Sequence, residues 1–263
     1  MLTIAIPSSA LINENDPKIK AYKVGQIARA AAIFRAGRII IYRDPLLDES
    51  DYIKDLLEYA VTPQYLRKSV IPLKPSLRYA GVMPPLKIPS HRPKTLKTGE
   101  IREGVIRRVG PDGTCWVDIG VKALALLKLK ARKPERGARV TVRVCSKKPL
   151  VVEIAEPEEY WGYGVEVKEL SEVLSSGGSV TGSVVITSRR GSHPSMEELR
   201  ELKNPVFVFG NPREGVQEIA ERAGVKLKAE RVWNFIPSQG TETVRLEEAL
   251  LATLAIYNFA REV

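Results

Sequence analysis

The sequence predicts an α/β protein, a parallel β-sheet flanked by helices, with a small all-β barrel inserted in the middle of the chain. Three observations predict it. Strand and helix patterns alternate over residues 1–62, short alternating strands follow from about residue 99 to 155, and the strand–helix rhythm returns after about residue 160. We therefore expect one α/β domain built from 1–90 and 156–263, and an inserted barrel at 91–155.

The first elements follow from hydrophobic periodicity. "LTIAIPSS" reads as a short buried strand, and "RIIIYRD" as a second one, apolar on both faces as in a parallel sheet. Between them, residues 13–38 repeat apolar side chains at three- and four-residue steps, which predicts a helix. "DESDYIKDLLEYAV" predicts a second helix, whose acidic first turn suits the helix dipole.

The middle of the chain has a different character. Residues 71–100 are rich in proline and predict a connector without regular elements. From about residue 99, "GEIREGVIRRVGPDGTCWVDIGVKALALLK" alternates on both sides of a "GPDG" turn, and "GARVTVRVCSKKPLVVEIAE" supplies two more strands. Five short strands in so few residues indicate an OB-type barrel, a fold that commonly binds single-stranded nucleic acid.

The remaining elements are strands "SVVITS", "PVFVFG" and "ERVWNFIP" and helices "SMEELREL", "PREGVQEIAERAG" and "TVRLEEALLATLAIYNFARE". The last helix is apolar around most of its circumference and must be buried, either within the domain or in a dimer.

The charge distribution points to a polyanionic partner. Residues 63–150 contain 21 Lys and Arg against 5 Asp and Glu, whereas residues 1–62 are balanced and residues 151–263 are acidic. The alternative, a thermophile-like surface, would raise both signs together. The sequence therefore favours nucleic acid as the partner of the middle segment.

Several functional classes are disfavoured. There is no apolar run long enough for a membrane span and no signal peptide, which indicates a cytoplasmic protein. Cys115 and Cys145 are expected to be small apolar strand residues. The two histidines, His91 and His193, have no neighbouring ligands, so no metal is expected. No Walker or dinucleotide glycine motif is present, which disfavours an ATP- or NAD-using enzyme.

Three loops then form the candidate site: "ITSRRG" (186–191), "VFGNPREGV" (208–216) and "FIPSQGTETV" (235–244). Each follows a predicted parallel strand, and ligands of α/β sheets bind at the carboxyl ends of the strands. Taken singly, Gly210 and Gly215 could be ordinary turn residues, but three such loops are more specific.

These residues resemble the SPOUT superfamily of RNA methyltransferases, and in particular its archaeal and eukaryotic family with an inserted OB-like domain. "KVGQIARAA" (23–31), "GNPREG" (210–215) and "IPSQGTETV" (236–244) resemble the three motifs of the SpoU ribose methyltransferases. The resemblance extends over nearly the whole chain. It implies a C-terminal trefoil knot, a homodimer through the knotted domain, and S-adenosyl-L-methionine as cofactor.

The resemblance also implies roles for individual residues. Arg29 would contact RNA phosphate or activate the ribose hydroxyl, often from the second subunit, although an ordinary ion pair is the alternative. Glu214 would orient the substrate or balance the cationic cofactor. The residues expected to bind the cofactor are Thr187, Gly210, Gly215, Ile236, Pro237, Gly240, Thr243, Val244 and Leu246.

RNA, and in particular ribosomal RNA, is the expected substrate. The residues expected to contact it are Arg107, Arg108, Lys128, Lys130, Arg132, Arg189 and Arg190. Arg189 and Arg190 either bind phosphate or are simply solvated. Trp116 and Tyr79 could stack on bases, and for Trp116 the alternative is a place in the barrel core.

Two departures leave the chemistry open. Lys23 stands where the SpoU motif has asparagine, and Thr243 follows Gly240 at a shorter spacing than the motif's serine. Methylation of a base nitrogen and of the ribose 2′-oxygen therefore both remain. A non-enzymatic RNA-binding or ribosome-assembly factor with the same fold is the rival hypothesis, although the intact glycine loops favour the enzyme.

Overall fold

The structure is a computed structural model that describes residues 1–91, 95–128, 135–174, 182–227 and 231–262. Its strands are β1 (Thr3–Pro7), β2 (Arg38–Tyr42), β3 (Ile101–Val109), β4 (Cys115–Asp118), β5 (Ala125–Lys128), β6 (Arg139–Lys147), β7 (Leu150–Ile154), β8 (Gly164–Lys168), β9 (Val184–Ser192), β10 (Val206–Val208) and β11 (Val232–Trp233). Its helices are α1 (Pro17–Ile33), α2 (Ser50–Val61), α3 (Gln64–Val70), α4 (Leu170–Leu174), α5 (Met196–Glu201), α6 (Val216–Arg222) and α7 (Leu246–Glu262).

The chain divides into two compact units. The α/β unit contains residues 1–60, 76–85 and 163–263, and the barrel unit contains residues 61–75 and 86–162. The sequence prediction places 61–75 in the α/β domain, whereas these residues group with the barrel. The reason is local: the Tyr65 hydroxyl accepts the Glu103 backbone N–H at 3.1 Å, and the Ser69 hydroxyl donates to Asp118 at 2.6 Å.

The α/β unit is built on six parallel strands in the order β11-β9-β10-β1-β2-β8. This confirms the predicted parallel sheet. Its central strands are buried on both faces, which is why they are continuous apolar runs. The sequence prediction missed β8, which is only half-buried and therefore lacks that signal.

Side-chain caps begin two of the helices. The Asp16 side chain accepts the Lys18 N–H at 2.7 Å, with Pro17 at the first helical position of α1. Ser195 and Glu198 form a reciprocal capping box at α5. α7 packs against α1 and α5. Among its described residues, the connector of residues 71–100 contains only single 3₁₀ turns. The helix that precedes it, α3, was not predicted from the sequence.

The barrel unit contains a closed five-stranded barrel in the order β3-β4-β5-β7-β6, antiparallel except for the β5–β7 pair. Its interior is apolar and includes Cys115, as predicted. The exception is Arg102, whose side chain is fully buried. Its guanidinium donates to Glu100 at 2.8 Å and to the backbone oxygens of Ile119 and Thr95, both at 3.2 Å, so the buried charge is paired and hydrogen-bonded.

Within the described ranges, no helix is long and apolar enough to cross a membrane. The same part of the chain contains no group of three or more His, Cys, Asp and Glu that could hold a metal ion.

Candidate active site

A cleft of ≈ 390 Å³ lies where β9, β10 and β11 end in the α/β unit. All three predicted segments contribute to its lining, but residues 186–191 belong to the strand β9 and do not form the predicted loop. Its position at the carboxyl ends of parallel strands is the usual ligand site of such sheets, and its volume lies in the range of small-molecule pockets, about 300–1,000 Å³.

The cleft gathers most of the predicted cofactor residues. Those lining it are Thr187, Gly210, Gly215, Ile236, Thr243, Val244 and Leu246, together with Glu214, Arg189 and Arg190. Pro237 and Gly240 belong to the third loop but are not part of the lining. The roles of these residues stay predictions.

The sequence prediction missed several lining residues: Asn211, Arg213, Glu218, Trp233, Asn234, Phe235 and Gln239. The signal for Asn211 was present, because an asparagine between Gly210 and Pro212 is typical of a turn that its own side chain closes. The others come together only through the fold.

The loop of residues 209–215 is closed by Asn211. The Asn211 side-chain oxygen accepts the backbone N–H groups of Arg213 and Glu214, both at 2.8 Å. The Asn211 backbone N–H donates to the Glu214 carbonyl at 2.9 Å. The turn is tight at Gly210. A Cβ there would lie 2.3 Å from the Glu214 carbonyl oxygen and 2.8 Å from the Gly215 Cα. Only glycine fits this backbone path.

The buried carboxylate of Asp44 holds the loop of residues 209–215 in place through hydrogen bonds. Asp44, which follows β2, is buried, and its carboxylate accepts hydrogen bonds from the Ser9 hydroxyl and from the Leu46 N–H at 3.0 Å. The Asn211 side-chain amide donates to Ser9 Oγ at 3.1 Å and to Asp44 Oδ2 at 3.3 Å. Arg222 Nε lies 3.8 Å from Asp44 Oδ1. The buried anion is thus balanced by a cation and several donors.

Tyr42 ties the same loop to β2. Burial raises the pKa of its hydroxyl well above the ordinary value, and the Asp44 carboxylate adds to the rise. The phenol therefore stays neutral and donates to the Phe209 carbonyl oxygen at 2.6 Å. The loop start is fixed by this bond, as its turn is by Asn211.

Charged side chains at the cleft form ion pairs and hydrogen bonds. Glu214 forms an ion pair with Arg222, and Arg190 Nη1 lies 3.4 Å from Glu218 Oε1 near the surface. Arg213 Nε donates to Asn13 Oδ1 at 2.6 Å, which joins this loop to the segment after β1.

The third loop is braced against β9. Arg189 Nη1 donates to the Glu242 carbonyl at 2.8 Å, and the Asn234 amide donates to the Arg189 carbonyl at 3.0 Å. Gln239 Nε2 donates to the carbonyls of Thr241 and Glu242 at 2.9 and 3.2 Å. Arg189 therefore shapes the loop, whatever else it binds.

Arg29 is not part of the cleft lining. It is half-buried on α1, and its Nη1 donates to the Pro85 carbonyl at 3.2 Å. Gly25, one turn earlier, permits a close approach: a Cβ there would lie 2.7 Å from Pro84 Cδ. The "KVGQIARAA" motif thus packs this helix against residues 83–85.

Three predicted RNA-contacting residues lie on the barrel. Arg107 Nε is 3.5 Å from Asp118 Oδ2, the Arg108 guanidinium lies 4.9 Å from the Trp116 ring centre, and Lys128 is exposed at the end of β5. Lys130 and Arg132 lie outside the described residues.

The fold and the cleft define an α/β protein with a parallel sheet, a cleft at the carboxyl ends of its strands, and a closed five-stranded barrel as a second unit. The chain belongs to the family described as "Putative RNA methyltransferase", whose model matches residues 1–257.

The relatives agree with this assignment. The chain is 30% identical over 293 residues to the human 28S rRNA (uridine-N(3))-methyltransferase, covering 97% of this chain and 77% of that protein. It is 32% identical to the Drosophila melanogaster protein of the same name, with 97% and 61% covered. It is also 31% identical to an uncharacterized protein of Halobacterium salinarum, with 96% of each covered.

Proposed function

We propose that the chain is an S-adenosyl-L-methionine-dependent methyltransferase that methylates N3 of a uridine in large-subunit ribosomal RNA. The observation that carries the proposal is the cleft in a member of an RNA methyltransferase family. The names of the human and fly relatives favour a base nitrogen over the ribose oxygen.

The cleft fits an adenosyl group. Ile236, Val244 and Leu246 give it an apolar side, and the tight turn at Gly210 exposes the backbone of the 209–215 loop beside it. Glu214 and Glu218 place carboxylates on the same lining, where they can balance a sulfonium charge.

Gly210, Gly215, Ile236 and Val244 would hold S-adenosyl-L-methionine, which would supply a methyl carbon to the uridine nitrogen and leave as the neutral thioether, S-adenosyl-L-homocysteine. N3 of uridine carries a proton that must leave, so the site needs an acceptor within hydrogen-bond reach. The fixed loop aligns the reacting groups. We assign Glu214, already paired with Arg222, to charge balance and orientation, and Arg29 to an RNA contact.

Calorimetry with S-adenosyl-L-methionine and methyl incorporation into ribosomal RNA test the proposal. We expect binding, and 3-methyluridine in the product. Cofactor binding followed by 2′-O-methylation would refute the N3 assignment. RNA binding without any methyl transfer would instead support the non-enzymatic assembly factor.

We further propose a homodimer through α7, because that helix carries an uncovered apolar face. Leu251 and Phe259, two turns apart on the helix, have 46% and 62% of their surfaces exposed. A second copy would bury them and could bring its Arg29 toward RNA bound at the first copy's cleft.

Leu251→Glu combined with Phe259→Glu is expected to convert a dimer into a 29.2 kDa monomer in light scattering, because it places two charges in an apolar interface. Leu124→Glu, at an exposed leucine of the barrel unit, is the control and should leave the mass unchanged. A wild-type chain that is already monomeric would contradict the proposed dimer.

We also propose that the segment after β11 is knotted through the preceding loops. Hydrogen bonds from Arg189 to Glu242 and from Asn234 to Arg189 hold this segment beside β9, and the proposal of a knot rests on the family resemblance. Mechanical unfolding from the two ends should then yield a chain shorter than the full contour of about 3.3–3.6 Å per residue, because a tightened knot retains some of it. Full extension would refute the knot.

A further inference from the structure

The outer surface of the barrel is covered unevenly. Cys115 and Val117 point into the barrel core, so strand alternation places Trp116 on the outer face of β4. By the same alternation Leu126 and Lys128 lie on the outer face of β5, where Leu126 is paired with Trp116. Among the described residues, Leu126 and Lys128 are exposed and Trp116 is half-exposed.

Trp116 is therefore not a core residue. Its ring is half-exposed, lies against the β3–β4 turn at Gly110, and has the Arg108 guanidinium 4.9 Å from its centre. Arg108 itself is exposed and pairs with Trp116 across the two strands. We define the Trp116 band as Arg108, Trp116, Leu126 and Lys128.

We propose that the Trp116 band is a stacking platform for a base of single-stranded RNA. The Arg108 guanidinium lies over the indole, so that the stacked pair offers a base a flat surface, and Arg108 and Lys128 offer charges to the flanking phosphates. In five-stranded barrels of this strand order, the second and third strands commonly bind oligonucleotides; here these are β4 and β5.

The charge around the band supports RNA. Residues 63–150 carry a large excess of Lys and Arg. The acidic neighbours are Glu153, which lies opposite Lys128 on β7, and Asp112 in the β3–β4 turn. Exposed apolar surface at Leu126 beside cations suits bases and phosphates together, whereas a duplex would present phosphates and keep its bases stacked inside.

The inference rests on the proposed RNA substrate and deepens it. Its test is fluorescence anisotropy of the full chain with a labelled 12-nucleotide uridine-rich RNA over a range of salt concentrations. Trp116→Ala should weaken binding by about five-fold or more, with an unchanged slope of log Kd against log salt, because a stacked base is lost but no charge. Lys128→Ala should reduce that slope by about 0.7.

The controls separate stacking from folding. Trp116→Phe should keep most of the affinity, and Arg143→Ala, an exposed cation on β6, should change only the charge contribution, as Lys128→Ala does. All variants should bind S-adenosyl-L-methionine as the wild type does. A 5-bromouridine RNA should photo-crosslink within residues 108–128.

Wild-type affinity in Trp116→Ala, an equal loss in Trp116→Phe, or an equal loss on duplex RNA would each overturn the inference. Its failure is distinguishable from failure of the enzymatic proposal. If no methyl group is transferred but Trp116→Ala still weakens single-strand binding, the platform stands and the assigned reaction fails.

Discussion

Gly210→Ala is expected to weaken strongly the binding of the proposed cofactor, S-adenosyl-L-methionine. The added methyl carbon would lie 2.3 Å from the Glu214 carbonyl oxygen and 2.8 Å from the Gly215 Cα. Both are backbone atoms, so no side-chain rotation relieves the clash, and the loop must open. Because this loop lines the cleft, we expect calorimetry to show a loss of affinity on the order of 100-fold or more, and a stability loss of about 1–3 kcal/mol.

Two other glycines provide graded controls. A Cβ at Gly215 meets only Glu218 Oε2, at 2.9 Å, and that carboxylate can rotate away, so Gly215→Ala should bind moderately less well. A Cβ at Gly164, at the start of β8, meets nothing within 4 Å, and Gly164→Ala should bind as the wild type does. Equal affinities for Gly210→Ala and Gly164→Ala would show that the cofactor does not use this loop.

The sequence predicted the sheet because buried parallel strands are continuous apolar runs. It predicted the cleft from three glycine-bearing segments near the ends of such strands, although the first, residues 186–191, belongs to β9 itself. The alternation of apolar residues predicted the barrel, but it did not predict the burial of Arg102. The charge of this side chain is compensated by the Glu100 carboxylate and by hydrogen bonds to two backbone carbonyls. The burial of a charged residue cannot be predicted from the sequence alone, because its hydrogen-bonding partners are known only from the fold.

The hydrogen bond between Asn211 and Asp44 could not be predicted from the sequence for a different reason. Asn211 and Asp44 are 167 positions apart, and neither belongs to a motif that requires the other. Arg29 shows the opposite case. Its motif suggests a catalytic position, while its side chain donates to Pro85 away from the cleft lining. Motifs report which residue types occur, whereas the fold determines which of them meet.

We expect Asp44→Ala to lower the free energy of unfolding more than any other single substitution at this site. It removes an acceptor shared by Ser9, Asn211 and the Leu46 N–H, and it leaves Arg222 without one of its two anions. Removing one member of a buried charged network typically costs about 3–5 kcal/mol. In a chain of this size we expect the thermal midpoint to fall by on the order of 10 °C.

The same substitution tests whether the network positions the loop as well as stabilising the fold. Asp44→Asn keeps one carbonyl oxygen and the shape, so it should recover part of the stability. Asp51→Ala, an exposed carboxylate in the first turn of α2, should cost less than about 1 kcal/mol. If Asp44 positions the loop, Asp44→Ala will have a weaker cofactor affinity than Asp51→Ala even at temperatures where both are fully folded. Wild-type affinity of folded Asp44→Ala would instead restrict the network to stability, because Asn211 would then hold the turn alone.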